Sequence, residues 1–246
     1  MADELVPHEV FEEEVYDHFY RPVLEEASDA QAELIAELAE LGGGEDVLDV
    51  PCGDGRIAVR LAAKGCRVVG VDSSERFIAN ARARPGAERV RFETGDMRKL
   101  SYEAEFDCVL NWFTSFGYFD RETNSAVLHE FHTALRAGGR LVLEVRNPVL
   151  LHRKVELGGG YTAHVEERGD DLLVDRVTLD GSRSHTERWV VRDGGLHKLE
   201  FWLELYDGDG LLSALDRAGF ADTSLFDESA ERFTSESRRL IAVARA

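Results

Sequence analysis

The chain is short of cysteine and lysine and has no long apolar run, and each shortage closes off a class of protein. Cys52, Cys66 and Cys108 are odd in number and show no C-x-x-C spacing, so a disulfide framework or a thiolate metal knuckle is not expected, and a reducing compartment fits them. No stretch approaches the roughly 18 consecutive apolar residues of a membrane-spanning helix. The opening MADELVPHEVFEEEVY is acidic and has no apolar secretion-signal core, so a soluble, cytoplasmic protein is expected. Only Lys64, Lys99, Lys154 and Lys198 supply lysine, and the net charge is -19. That charge repels polyanions, which argues against nucleic acid and anionic membrane as partners and leaves a neutral or cationic small molecule. The acids are spread along the chain rather than gathered in a tail, the pattern of a solvated acidic surface.

At 246 residues there is room for one α/β core with an added subdomain. Val47, Leu48 and Val50 make a short apolar strand containing one acid, Asp49. Ile57, Val59, Leu61 and Ala62 begin a helix-forming segment, and the chain must turn sharply between them at Pro51 to Gly55. CRVVGVD is a second strand, and SSERFIANARA a helix opened by N-cap serines. A third strand ends near Gly95 and Asp96, and a fourth near Asn111. The next helix carries Val127, Phe131, Ala134 and Leu135 on one face and is expected to stop at Gly138 and Gly139, before a fifth strand, RLVLEVRN. This alternation predicts a parallel sheet covered by helices on both faces.

From Tyr161 the period changes to two, with hairpin signals at Asp180-Gly181 and Asp193-Gly194-Gly195. Leu199, Phe201, Leu203 and Leu205 share one face of the last such strand, which predicts an antiparallel insertion with one buried side. A helix (GLLSALDRAGF) and two strands close the chain. The expected division is a helical lid at 1–29, an α/β domain at 30–150 and 207–246, and the β insertion at 151–206 covering a substrate site. The insertion surface is also a candidate for self-association.

The chemistry gathers at the predicted carboxyl ends of the strands. Gly53 and Gly55 permit close approach of backbone to a ligand between a strand and a helix N-terminus. Asp72, nineteen positions after Gly53, closes the second strand, where a carboxylate can accept both hydroxyls of a ribose. Asp96 closes the third strand, where it can accept an adenine amino group. Each acid alone is commonly a turn residue, but in this order they describe a nucleoside site. It need not hold phosphates: Arg56, beside Asp49 and Asp54, offers partners for the carboxylate and ammonium of an amino acid.

At VLDVPCGDGR, VVGVDSS, GDMR, FDCVLNWFTSFGYF and LRAGGRLVLEV the sequence resembles the class I (Rossmann-like) S-adenosylmethionine-dependent methyltransferases of small-molecule type. The resemblance implies a seven-stranded sheet with an antiparallel last strand, and S-adenosyl-L-methionine as cofactor with S-adenosyl-L-homocysteine as product. It implies that the first motif (Asp49, Gly53, Gly55) meets the methionine part, Asp72 with Ser73 the ribose, and Asp96 with Met97 the adenine. It also brings residues from Asn111 to Phe113 toward the methyl donor. Arg56 departs from the small or apolar residue common at its position, and a contact with the cofactor carboxylate is expected of it.

Methyl transfer from a sulfonium needs little acid–base machinery, so catalytic residues are inconspicuous. In HEVFEEEVYDHFYRP, a predicted helix, Phe11, Val15 and Phe19 form one stripe that helix packing explains. Tyr16 and Tyr20 form an i, i+4 pair suited to a cation and placed over the cofactor by the resemblance. Trp112, Phe113, Phe116, Tyr118 and Phe119 make an aromatic loop that is either a core plug or a substrate wall. Tyr16, Tyr20, Asn111 and Tyr118 are the candidate catalytic positions. His18, Asn147 and His152 are polar residues near lid or strand ends. His129 and His132 lie three apart with no third ligand, so no metal is expected. With no evident base, nitrogen is favoured slightly over oxygen as methyl acceptor. Two other readings stay open: a nicotinamide-dependent oxidoreductase, and a non-catalytic adenosyl-ligand-binding domain.

Overall fold

The computed structural model describes residues 15–246. Apolar runs buried on both faces form the central strands β1 (Asp46–Asp49), β2 (Arg67–Asp72) and β4 (Phe106–Asn111), while β3 (Val90–Thr94) is an edge strand that buries only Phe92. With β5 (Leu135–Arg146), β10 (Ala221–Phe226) and β11 (Arg239–Arg245) they make a seven-stranded sheet in the order β10-β11-β5-β4-β1-β2-β3. All pairings are parallel except those of β11, which runs antiparallel to both β5 and β10, as the resemblance implied. The chain leaves β1 outward through β2 and β3, then returns to lay β4 on the other side of β1. The strand order therefore reverses between β1 and β4, and a crevice opens at their carboxyl ends.

Helices α1 (Arg21–Leu38), α2 (Ala58–Ala63) and α3 (Glu75–Arg82) cover one face, where Ile35, Leu61 and Ile78 are fully buried. Helices α4 (Arg121–Ala134) and α6 (Gly208–Arg217) cover the other through Val127, Phe131 and Leu211. Short polar side chains start these helices by accepting otherwise unpaired backbone N–H groups: Ser74 from Phe77, Asp120 from Thr123 and Asp207 from Gly210. Helix α4 differs from the sequence expectation, for it stops at Ala134 and Leu135 is already extended and paired with Phe106. Burying Leu135 in the sheet outweighs its helical period. Gly138 and Gly139, expected as a helix cap, instead lie within β5 near a register shift.

The segment after β5 begins with α5 (Pro148–Leu157), capped by Asn147, and continues as a separate four-stranded antiparallel meander. Its strands are β6 (Thr162–Arg168), β7 (Asp171–Asp180), β8 (Arg183–Arg192) and β9 (Gly195–Glu204). Tight turns at Gly181 and at Asp193-Gly194 use left-handed backbone, as those residue pairs predict. One face is buried through Leu173, Val177, Val190 and Leu203, and the other leaves Leu196 and Trp202 exposed. Since β5 delivers the chain to this sheet, it stands on the carboxyl-end side of the main one. Two seams hold it there: Leu151, Val155 and Leu205 against Val177 and Leu203, and Val15 with Phe19 against Leu173 and Val190. Phe11, the third member of the predicted stripe, lies outside the described residues. The described part of the opening segment is a π-helical turn, Tyr16–Tyr20, that runs directly into α1. Among the described residues no helix is long and apolar enough to cross a membrane.

Candidate active site

The crevice is a cavity of about 1000 Å³, its open mouth included, walled by the turn after β1, the ends of β2 and β3, the aromatic loop after β4, and Tyr16. The two glycines of the turn face opposite ways. Gly53, at φ +55°, has no atom within 4 Å of where a Cβ would stand and lines the cavity. Gly55, at φ +78°, turns its bare face away from the cavity, and a Cβ there would sit 2.7 Å from the Phe92 ring. Of the two glycines expected to admit a ligand, Gly53 leaves open space on the cavity side. Gly55 packs its bare face against Phe92 and Ala81.

Asp72 is nearly buried and accepts from the backbone N–H of Gly53 at 2.8 Å through Oδ2 and of Ser74 at 2.9 Å through Oδ1. These bonds aim the carboxylate into the cavity beside Ser73. Asp96 also lines the wall, but both its oxygens are held by the Arg98 guanidinium at 2.7–3.0 Å. Burial pushes the Asp96 carboxyl up, yet the hydrogen bonds and charge of Arg98 outweigh it and keep the carboxyl below its usual range. Met97 follows it, buried in the wall, and Arg98 also lies over the Phe119 ring at 4.7 Å.

Asp49 is 2% exposed, and its Oδ2 has no hydrogen-bond partner among the described residues. Burial, with Asp72 and Asp54 nearby, pushes its pKa to about 8 against the pull of Arg56 and the Ala58 backbone. An orphaned buried carboxylate on a cavity wall is suited to a ligand cation. Arg56 lines the same wall, its Nη1 donating to Gln31 Oε1 at 2.6 Å and Ser28 Oγ at 3.1 Å. Burial lowers its pKa from the ordinary arginine value. Asp54, which sequence reasoning used only as a neighbour, accepts from Arg84 at 2.5 Å and lies 3.3 Å from the Arg21 guanidinium. It ties the start of α1 to the glycine turn. The Tyr16 hydroxyl lies 3.4 Å from Asp54, its ring meets Phe77 edge-on at 5.1 Å, and burial raises its pKa.

Other candidates stand elsewhere. Asn111 is fully buried outside the cavity wall, where its Nδ2 donates to the Val50 carbonyl at 2.9 Å and points at Met97 Sδ. It ties strand ends together from behind. The loop beyond it holds two consecutive non-glycine residues in left-handed backbone, Phe113 (φ 64°) and Thr114 (φ 54°). Buried Glu144 of β5 fixes this conformation by accepting from the Phe113 N–H at 2.8 Å, and it pairs with Arg239 at 3.1 Å. Sequence reasoning missed Glu144. Its signal was visible as the lone acid inside an apolar strand. Phe113 is flanked by Arg56 at 5.5 Å and Arg239 at 5.8 Å.

Tyr20 and Tyr118 do not line this cavity and sit instead against the insertion. The Tyr20 hydroxyl accepts from Arg188 Nη2 at 2.8 Å, while Tyr118 packs near Phe201 with ring centroids 6.3 Å apart. Burial raises both phenols to about 12. His18 pairs with Asp171 at 2.9 Å, His132 packs edge-on against Phe220, His152 is exposed, and Asn147 bonds the carbonyls of Ser235 and Ser237.

A methyltransferase-domain family model matches residues 47–139. The chain is 29% identical over 211 residues to a Geobacillus sp. (strain WCH70) protein named as a methyltransferase, spanning 82% of this chain and 85% of that one. Among solved structures, the CcbJ methyltransferase from Streptomyces caelestis aligns with TM-score 0.75 at 24% identity over 89% of each chain. S-adenosylmethionine-bound CalS10 from Micromonospora echinaspora, an amino pentose methyltransferase, aligns with TM-score 0.64 at 20% identity over 90% of this chain and 91% of that one. The nicotinamide reading finds no support in these matches: residues 47–139 match a methyltransferase domain, and the chain is similar in sequence to methyltransferases and has the fold of the class I S-adenosylmethionine-dependent enzymes.

Proposed function

We propose that the protein methylates a nitrogen of a small-molecule acceptor that enters the cavity from the side of the insertion. When bound, S-adenosylmethionine supplies a methyl group on a cationic sulfur. The acceptor lone pair forms the new bond to carbon while the old bonding pair stays on sulfur, and nitrogen gives up a proton. In this reading Asp72 keeps lone pairs for ribose hydroxyls beyond those used by Gly53 and Ser74, and Asp96 with Met97 borders the adenine. Asp49 and Arg56 face the ammonium and carboxylate of the methionine part, which suits the orphaned Asp49 oxygen. Tyr16, Trp112, Phe113 and Phe119 wall out water, so orientation supplies the acceleration.

The observation that favours nitrogen is the state of the groups on the acceptor side. Burial holds Tyr20 and Tyr118 near 12, so neither phenol is a base at neutral pH. Asp175 is committed to Arg188 through paired hydrogen bonds of 2.7 Å. A hydroxyl acceptor requires a base to take its proton, whereas an amine need only arrive neutral. Cationic arginines near the entrance disfavour the charged form of an amine and so favour the nucleophilic one. Isotopically labelled methyl donor offered to panels of amines, phenols and carboxylic acids tests this. Label transferred to amines supports it, and label found only on oxygen acceptors overturns it.

A further inference from the structure

The strands of the insertion lie in the order β6-β7-β8-β9, which leaves β6 and β9 as its edges. The β6 edge is short and tied down: Arg168 at its end donates to the His18 carbonyl of the turn before α1. β9 is ten residues long, and no other described strand pairs with its outer side. Leu196 is 66% and Trp202 39% exposed on it, with Lys198 and Glu200 exposed between them. A long open edge bearing apolar side chains is a template for another strand, and folded proteins ordinarily blunt or cover one.

Contacts at both ends fix the direction of the β9 backbone. In an antiparallel ladder, residues alternate between turning both N–H and C=O toward the neighbour and turning both away. Gly195 is paired with Arg192 across the turn Asp193-Gly194, the hydrogen-bonded closing pair of a hairpin, so it faces β8. Leu205 faces that side too, since its N–H donates to the Ser182 carbonyl at 2.8 Å. Glu204 faces outward, because its N–H donates at 2.7 Å to the Gly117 carbonyl and not to its register partner Arg183. Leu196, Lys198, Glu200 and Trp202 share the parity of Glu204, so each turns its N–H and C=O to the open edge.

We infer that β9 is a self-association edge: it pairs antiparallel with β9 of a second copy of this chain, about a two-fold axis through Leu199. That register sets Lys198 opposite the partner's Glu200 and Leu196 opposite the partner's Trp202, and the axis repeats both pairs. These are the outward-facing residues, so each pair exchanges two backbone hydrogen bonds and sets its side chains together on one face. The ladder ends before Glu204, whose outward N–H is already held by Gly117. An axis through Lys198 or Glu200 would set like charges opposite each other. One through His197 or Phe201 would set Lys198 against Leu196 or Glu200 against Trp202. Lys198 also reaches Glu187 and Glu200 within its own chain, exposed ion pairs weak enough to be shared with a partner. In a chain of net charge -19 most of the surface repels a second copy, whereas this edge offers a lysine and a glutamate at matched spacing. The two insertions become one continuous sheet, and the open β9 edge of each is closed. The inference does not rest on the methyltransferase reading.

Sedimentation equilibrium of the full chain tests the association, and the wild type is expected to dimerise reversibly with concentration. Glu200→Lys sets Lys198 opposite a partner lysine and should weaken the dimer about tenfold, since the axis doubles each cross-strand effect. Adding Lys198→Glu to it restores opposite charges and most of the affinity. Glu200→Pro removes an N–H that points away from β8, so it should abolish the dimer while the β8 ladder survives. Circular dichroism and S-adenosylhomocysteine binding check that this variant is folded. Leu199→Cys puts two thiols across the axis in a non-hydrogen-bonded pair, whose Cα spacing of about 4.5 Å admits a disulfide. The native cysteines are buried, so mild oxidation should link two chains through Leu199→Cys and not through Trp202→Cys. A wild type that stays monomeric at every concentration overturns the inference and leaves the edge to a strand of another protein. A dimer insensitive to Glu200→Pro, or one that Leu199→Cys does not cross-link, overturns the paired edge and its register.

Discussion

The carboxylate of Asp72 accepts a hydrogen bond of 2.8 Å from the backbone N–H of Gly53, nineteen positions earlier, so the acid closing β2 and the glycine turn after β1 are one rigid unit. Parallel pairing of β1 with β2 puts Asp49 beside Gly70 and brings the two strand ends together. The Asp72 carboxylate is therefore held in place by the glycine turn itself.

Asp72→Ala should weaken S-adenosylmethionine binding by about 1.5–3 kcal/mol, the range for hydrogen bonds to a charged group. It should also cost some stability, because the Gly53 and Ser74 N–H groups lose their acceptor. Calorimetry and a melting curve on one sample read both. Affinity equal to wild type would remove Asp72 from the cofactor site.

Asp49 predicts a pH dependence. Its folded pKa of about 8 lies above the ordinary carboxyl value near 4. The folded state thus holds a proton that the unfolded chain gives up; this contribution to stability is full below about pH 4 and is lost as pH rises through 8. In the cofactor-free protein, melting temperature should decline from pH 6 to 9, and Asp49→Asn should flatten the decline. Cofactor affinity should move the other way from pH 6 to 8, with proton release, since an ammonium favours ionised Asp49. Calorimetry in buffers of different ionisation enthalpy detects that proton.

The two glycines of the turn should part company on substitution. Gly55→Ala places a Cβ against Phe92 at positive φ and should lose about 2–4 kcal/mol of stability from overpacking and backbone strain together. Gly53→Ala meets no protein atom, so it should carry only the backbone strain of about 1–2 kcal/mol and should instead lower cofactor affinity. Melting temperatures and cofactor titrations of both variants check the ordering, and equal losses of stability would contradict the opposed facing.

Tyr20→Phe should leave cofactor affinity unchanged, because the hydroxyl meets Arg188 and not the cavity. Loss of that bond should cost about 1 kcal/mol of stability. A tenfold weaker cofactor affinity would return Tyr20 to the cofactor site.

Much of the molecule was legible in the sequence. The order of strands and helices, the hairpin turns of the insertion and the three strand ends bearing Gly53, Asp72 and Asp96 all follow from local period, from glycine at positive φ and from acids at element ends. What failed was local preference meeting tertiary demand. Leu135 completes a helical stripe in sequence, but the space beside Phe106 takes it into the sheet. Asn111 closes β4 where a cofactor contact is expected, but its side chain turns back to the Val50 carbonyl, 61 positions away. Tyr16 and Tyr20 share a helix turn, yet one meets the cavity and the other meets Arg188, 168 positions along the chain. The sequence by itself determined which residues turn, alternate and repeat. Only the tertiary structure decided which of them meet, because those contacts depend on register between segments that the chain brings together from far apart.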